Sequence, residues 1–292
     1  MRERFEYFLA IILIWLSKIL PENIMLKTLK CISIFIFQII PSRRKMAISN
    51  LKLAYPELTD KKIYEIAKKN YQNLAIVINE ILLIYNNKKK LKDFLENPQE
   101  ALDVVNNLSR NNTKPILFTT AHFGNWEVLA HYFGSIGFKL MIVGREGNNT
   151  LIEKNITIPF RQKFGNQVAN KDNAMIKMVK FLKENHNIGL LIDQKAGNVN
   201  SVITKFFNRE CKTSKTIGSL KLKFNPIIIP IFALRQPNGK YKIVVKNFEF
   251  KPTGDKNTDI LSITQGINNI FEEVVRIDPA QWFWMHNRWK ID

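Results

Sequence analysis

A chain of 292 residues has room for one sizeable catalytic domain with an appendage, and a hydrophobic share of 46% excludes an intrinsically disordered protein. The formal charge of +19 calls for an anionic partner such as a phospholipid face, an acidic carrier protein, a phosphorylated substrate or nucleic acid. Two cysteines, Cys31 and Cys211, supply neither a disulfide framework nor a metal-binding spacing.

Taken in order, the chain opens with two apolar stretches, from Phe5 to Leu20 and from Ile24 to Ile40, separated by Pro21. Each is shorter or more interrupted than the ~20 clean apolar residues of a spanning helix. With Lys18, Lys27 and Lys30 able to reach headgroups and Trp15 able to sit at the interface, residues 1–41 read as a membrane anchor. It is either one tilted span or a helical hairpin lying in the leaflet; two buried helices of a soluble domain are the alternative. The cluster Arg43-Arg44-Lys45 places the following chain on the cytoplasmic side. A short basic helix within SRRKMAISNLKLAYPE is closed by Pro56, and a longer one is expected from Asp60 to about Leu83, with Ile63, Ile66, Ala67, Tyr71, Leu74 and Ile78 at helical spacing. Lys88-Lys89-Lys90 reads as a solvated turn, and a further helix is expected from Leu102 to Arg110.

The most informative stretch is ILFTTAHFGNWE. An apolar, β-prone run from Ile116 ends at Ala121, His122 follows, and a helical pattern begins at about Trp126 with Asn125 as its N-cap. On a continuous helix residues five apart sit ~140° from each other, so His122 and Glu127 meet only through a bend, which Gly124 can supply. Such a pair suits acyl transfer: the imidazole takes a proton from an attacking hydroxyl, the carboxylate orients it, and helix-start amides face the oxyanion. A buried histidine satisfied by an acid is the structural alternative.

Beyond the turn, strands are expected at Phe138–Val143, Gly189–Ile192, Pro226–Leu234 and Tyr241–Phe250, and helices at Asn155–Phe164, Ala174–Glu184, Thr213–Phe224 and Leu261–Ile277. The alternation predicts an α/β fold, a central mixed sheet flanked by helices, behind an N-terminal membrane-anchoring helical segment. Pro226 and Pro230 would confine their strand to an edge or make it irregular. Arg145 and Arg161 sit where the chain changes direction and could clamp a phosphate, although ordinary surface arginines are the simpler reading. Asp193, following a buried strand, either orients one of those arginines or caps the next turn. A metal site from His122, Glu127 and His131 lacks the usual close ligand spacing. Phe206-Phe207 either line an acyl pocket or pack in the core, and the aromatic tail QWFWMHNRWK suits a membrane interface or a segment stapled onto the core.

Together these residues resemble the late acyltransferases of lipid A biosynthesis (the lauroyl and myristoyl transferases), a branch of the lysophospholipid acyltransferase superfamily. SRRKMAISNLKLAYPELT resembles the family's segment before the catalytic domain, and AHFGNWE its His-x4-acid block in the glutamate form. VGREGNN with FRQKFGNQ resembles the arginine-bearing second block, LLIDQKAGN with KFFN the third, NPIIIPIFAL the fourth, and WFWMHNRWK the terminal segment. Asn208 departs from the pattern, which expects glycine after the paired phenylalanines.

The resemblance implies an acyltransferase domain over residues 42–292, with His122 as general base and Glu127 its partner. Arg145, Arg161 and Asp193 become binding or supporting residues. It implies transfer of an acyl chain from acyl carrier protein to a hydroxyl of a Kdo-bearing lipid A precursor, at the cytoplasmic face of a bacterial inner membrane. No cofactor or metal is called for. An acyl-CoA-dependent phospholipid or glycolipid acyltransferase is the nearest alternative. A non-enzymatic basic membrane- or nucleic-acid-binding protein is the more distant one. The basic residues are dispersed rather than striped along one element, so no nucleic-acid partner is expected.

Overall fold

The computed structural model describes all residues except 110–113, 139, 145–146, 171–173 and 292. Proline punctuates its first third. Helix α1 (Arg2–Ile19) stops before Pro21, α2 (Glu22–Ile39) follows, and α3 (Pro41–Ala54) begins on a proline whose fixed φ suits the first helical position. The long helix α4 (Asp60–Tyr85) is capped by Thr59, whose hydroxyl accepts the Lys62 amide at 3.3 Å. Met25 and Leu29 of α2 bury against Ala75 and Leu82 of α4, with Leu13 and Ile14 of α1 packed alongside. The opposite faces of α1 and α2 leave Phe5, Phe8, Trp15, Ile32, Phe35 and Ile39 exposed. Among the described residues no single helix is long and apolar enough to cross a membrane; α2 and α3 together are, but they bend by 87°.

After α5 (Pro98–Ser109) the chain alternates: β1 (Ile116–Thr120), α6 (Trp126–Ser135) and β2 (Met141–Gly144). An irregular helical stretch follows as α7 (Thr150–Ile152), a π-helical segment (Glu153–Thr157) and α8 (Ile158–Gln162). Then come β3 (Gln167–Asn170), α9 (Ala174–Lys183), β4 (Ile188–Leu191), the hairpin β5 (Ser201–Phe206) and β6 (Arg209–Ser214), α10 (Thr216–Phe224), β7 (Ile227–Arg235), β8 (Tyr241–Val245) and α11 (Lys256–Ile277). Among the described residues six strands form one sheet in the order β3-β2-β4-β1-β7-β8, all parallel except β8, so the expected mixed sheet flanked by helices is present. Because side chains alternate across a sheet, Leu117, Ile188 and Leu190 face the core that includes Met178 of α9 and Ile263 of α11. Ile116, Phe118, Ile142 and Ile229 face Val128, Leu129 and Phe133 of α6.

Two expectations are corrected. The proline-bearing strand is not an edge: β7 lies between β1 and β8, and Pro230 pairs with Thr119. Its carbonyl accepts from Lys246 N–H at 2.9 Å, on the β8 side, so the missing N–H faces the end of that ladder and takes nothing from β1. The helix expected from Thr213 begins only at Thr216, because residues up to Ser214 complete the β5–β6 hairpin. Its two-residue turn places Phe207 and Asn208 at φ 52° and 56°, the double left-handed geometry of a type I′ turn. Asparagine is the residue that best replaces glycine there, which accounts for Asn208.

The tail is stapled onto the core. Trp282, Trp284 and Arg288 are fully buried, with Phe206 and Phe207 packed against the tryptophans. Asn50 of α3 donates to the carbonyls of Trp284 and His286 at 2.8 and 2.7 Å, and Asn70 of α4 to those of Ala280 and Trp282 at 2.8 and 2.6 Å. The Arg288 guanidinium donates to the Lys212 carbonyl at 2.8 Å and the Thr213 hydroxyl at 2.7 Å. A segment with only one short 3-10 turn is thus buried because side chains from elsewhere satisfy its backbone.

Candidate active site

The site is assembled at the carboxyl ends of two neighbouring parallel strands. Thr120 of β1 is in register with Leu191 of β4. Two residues further along each chain come His122 and Asp193, and the imidazole Nδ1 lies 2.8 Å from Asp193 Oδ1. The His122 backbone N–H donates to Asp193 Oδ2 at 2.9 Å, and the Trp282 indole donates to the same oxygen at 2.8 Å. Burial alone would push the Asp193 carboxyl up, but the facing imidazole and these donors hold it below the ordinary aspartate value. A charged Asp193 accepts the Nδ1 proton, which leaves Nε2 as the basic nitrogen.

The turn that carries His122 is held from behind. Gly124 adopts φ 55°, and a Cβ there would lie 1.7 Å from the Ala233 carbonyl oxygen of β7, so only glycine fits. Its N–H donates to the Gln281 carbonyl at 3.1 Å. Asn125 caps α6 as expected, accepting from Val128 N–H at 3.1 Å, while its amide donates to Glu80 at 2.8 Å. Tyr241 donates to the same Glu80 oxygen at 2.6 Å; burial nevertheless raises the Glu80 carboxyl above its ordinary value.

Glu127, the acid expected to orient His122, does not make the imidazole hydrogen bond. It pairs instead with Arg161 of α8, whose Nη2 donates at 2.8 Å and whose Nε donates at 3.3 Å to the same oxygen. The physical reason is direction: Glu127 starts α6 beyond the bend, whereas Asp193 arrives on the adjacent strand in register with the histidine. Burial would raise the Glu127 carboxyl, but the Arg161 charge and the nearby histidines hold it below the ordinary value. The Arg161 fork is thereby engaged. Asp193 meets the histidine rather than Arg161, and Arg145 lies outside the described residues.

His122 on the turn, Glu127 on α6 and Arg161 on α8 share a cavity of about 250 Å³ between α6 and the sheet. His122, Glu127, Arg161 and Gln194 form its polar part, and Phe118, Leu129, Phe133, Leu140, Ile142 and Ile231 its apolar part. The His122 ring is about a quarter exposed and meets Trp126 edge-on at 5.0 Å between centroids. A carboxylate-held imidazole beside an apolar slot can abstract a proton from a hydroxyl while a hydrocarbon chain is sheltered from water.

His131 is not part of this constellation. It is fully buried with its ring against Phe160 and Phe164, and neither nitrogen has a hydrogen-bond partner among the described residues. Burial lowers it to about 4, with Arg161 and Lys163 acting in the same direction and Glu127 opposing them. The unfolded chain binds that proton near pH 6.5 and the folded one only near pH 4. Stability is therefore complete above pH 6.5 and falls by ~3 kcal/mol as pH drops toward 4. The His131→Phe variant should show a correspondingly flatter pH dependence in denaturant titrations. The same slope in both proteins would show that His131 is not buried neutral. His286, also lowered to about 4 by burial, contributes in both and cancels in the difference.

Trp282 is the residue that sequence reasoning left without a role in the site. Its indole fixes Asp193, and nothing in the aromatic pattern of the tail singled it out from Trp284 and Trp289.

A family model described as "Bacterial lipid A biosynthesis acyltransferase" matches residues 1–291. The chain is also similar to the lipid A biosynthesis lauroyltransferase of Escherichia coli (strain K12), at 24% identity over 297 residues covering 97% of this chain and 90% of that protein.

Proposed function

This chain belongs to the bacterial lipid A biosynthesis acyltransferase family, and we propose that it transfers a fatty acyl group from acyl carrier protein to a hydroxyl of a Kdo-bearing lipid A precursor. The observation that carries this reading is the His122–Asp193 hydrogen bond at the mouth of the apolar cavity. In the proposed reaction His122 Nε2 accepts the proton of the acceptor hydroxyl, and the oxygen attacks the thioester carbonyl. Asp193 holds the Nδ1 proton and stabilises the imidazolium. Collapse of the tetrahedral intermediate releases the thiolate, which recovers the proton from Nε2. The Trp126 and Glu127 amides, which open α6 and so lack partners within it, face the developing oxyanion. Glu127 supplies a second negative charge near the imidazolium, with Arg161 fixing its position.

Residues 1–41 would hold the enzyme at the cytoplasmic face of the inner membrane, leaving 42–292 as the acyltransferase domain. Support comes from the exposed faces of α1 and α2, where Phe5, Phe8, Trp15, Phe35 and Ile39 are available to acyl chains. The positive net charge would draw in an acidic carrier protein.

Mass spectrometry of the product tests the proposal. Purified enzyme, acyl carrier protein loaded with one fatty acid, and a Kdo-bearing tetra-acylated precursor should yield the precursor plus one acyl group. Product formed only from acyl-CoA, or only on a glycerophospholipid, would transfer the reading to the phospholipid or glycolipid alternative. No acylated product from any donor would refute it.

A further inference from the structure

Gly189 occupies the middle of the sheet, where glycine is a poor choice. It lies in β4 between β1 and β2, paired with Phe118 on one side and Ile142 on the other. Glycine weakens a strand interior, and its presence there marks a bend or a close approach by something else. A bend is not the reason, because Gly189 does not adopt a positive φ. Close approach by the protein is not the reason either. A Cβ at Gly124 would strike the Ala233 carbonyl at 1.7 Å, and one at Gly218 the Ile260 carbonyl at 2.9 Å. At Gly189 a Cβ would meet only Leu140 Cδ1 within 4 Å, at an ordinary 3.8 Å. The row Ile142–Gly189–Phe118 therefore has a gap at its centre, and Gly189 lines the cavity there, as does the small residue Ala130 of α6.

We propose that Gly189 sets how far the acyl chain enters the cavity and so determines the chain length the enzyme prefers. The proposal rests on the acyltransferase reading of the site. A side chain at Gly189 would occupy space otherwise taken by methylenes of the donor. Each methylene excluded from an apolar slot weakens binding roughly fourfold.

The test is a competition among acyl carrier protein thioesters of increasing chain length, using wild type, Gly189→Ala, Gly189→Val and Gly189→Leu. The ratio of long-chain to short-chain kcat/KM should fall in that order, by roughly fourfold for each methylene excluded. Thermal melting of each variant accompanies the assay, and Gly189→Ala serves as the variant whose fold the open site tolerates. An unchanged ratio, or equal losses at all lengths, would overturn the role of Gly189. Titration of free fatty acids of graded length into the same proteins gives a readout that needs no catalysis. A length limit that shortens in Gly189→Val, with no acyl transfer by wild type, would defeat the acyltransferase reading and leave the pocket assignment standing. Fatty-acid affinities identical in wild type and variants would sink the pocket assignment whatever the activity.

Discussion

Asp193→Asn should lower kcat by ~10³–10⁴ with little change in KM for the acyl donor. One Asp193 oxygen accepts from two donors, the His122 backbone N–H and the Trp282 indole, while the other accepts the imidazole Nδ1 proton. An asparagine keeps its oxygen where two donors converge and turns its NH₂ toward Nδ1. The imidazole must then accept at Nδ1 and carry its proton on Nε2, the tautomer that cannot act as a base toward the cavity. Steady-state kinetics of the purified variant, with circular dichroism to verify folding, measure this. Glu127→Gln provides the contrast: it loses a charge near the imidazole but leaves the Asp193 hydrogen bond intact, so the decrease should be smaller. A Glu127→Gln enzyme more impaired than Asp193→Asn would reverse the assignment of the orienting acid.

His122→Ala should lower kcat by ~10²–10⁴, the usual loss when a general base is removed. Asp193 keeps its Trp282 donor and the backbone N–H of residue 122 in this variant but loses the imidazole at its other oxygen, so the protein should stay folded with a modestly lower melting temperature. The vacated space beside Trp126 and Asp193 can admit added imidazole, which should restore part of the rate. Near wild-type turnover without imidazole would remove His122 from the reaction.

The strand–turn–helix unit around His122 was legible because its signals are local. A β-prone run, a glycine at the bend and an asparagine cap all lie within Ile116–Glu127, and each behaves as its chemistry dictates. The orienting acid was not legible for the opposite reason. Glu127 is five residues from His122 and Asp193 is 71 away, and only the placement of β4 next to β1 brings the latter into register. Sequence order suggests β2 as the neighbour of β1, yet β4 is inserted between them.

Arg161 shows the same limit, since nothing local to FRQKFGNQ reveals that Glu127 awaits its guanidinium. The β5–β6 hairpin was hidden because Phe207-Asn208 lacks the glycine that advertises a two-residue turn. Its φ is supported instead by tertiary contacts: Glu272 accepts the Phe207 N–H at 2.6 Å, and the Arg276 guanidinium sits 4.6 Å over the ring.

The docking of residues 279–289 bears on when the proposed site can be completed during synthesis. Asp193 leaves the ribosome long before Trp282, and Asn50 and Asn70 wait longer still for the carbonyls they cradle. Until residues 279–289 emerge and dock, the growing polypeptide holds its histidine beside an acid that no indole restrains. In the proposed reaction the histidine's partner is therefore fixed only after that docking, and a chain cut before residue 279 would leave Asp193 without its indole donor.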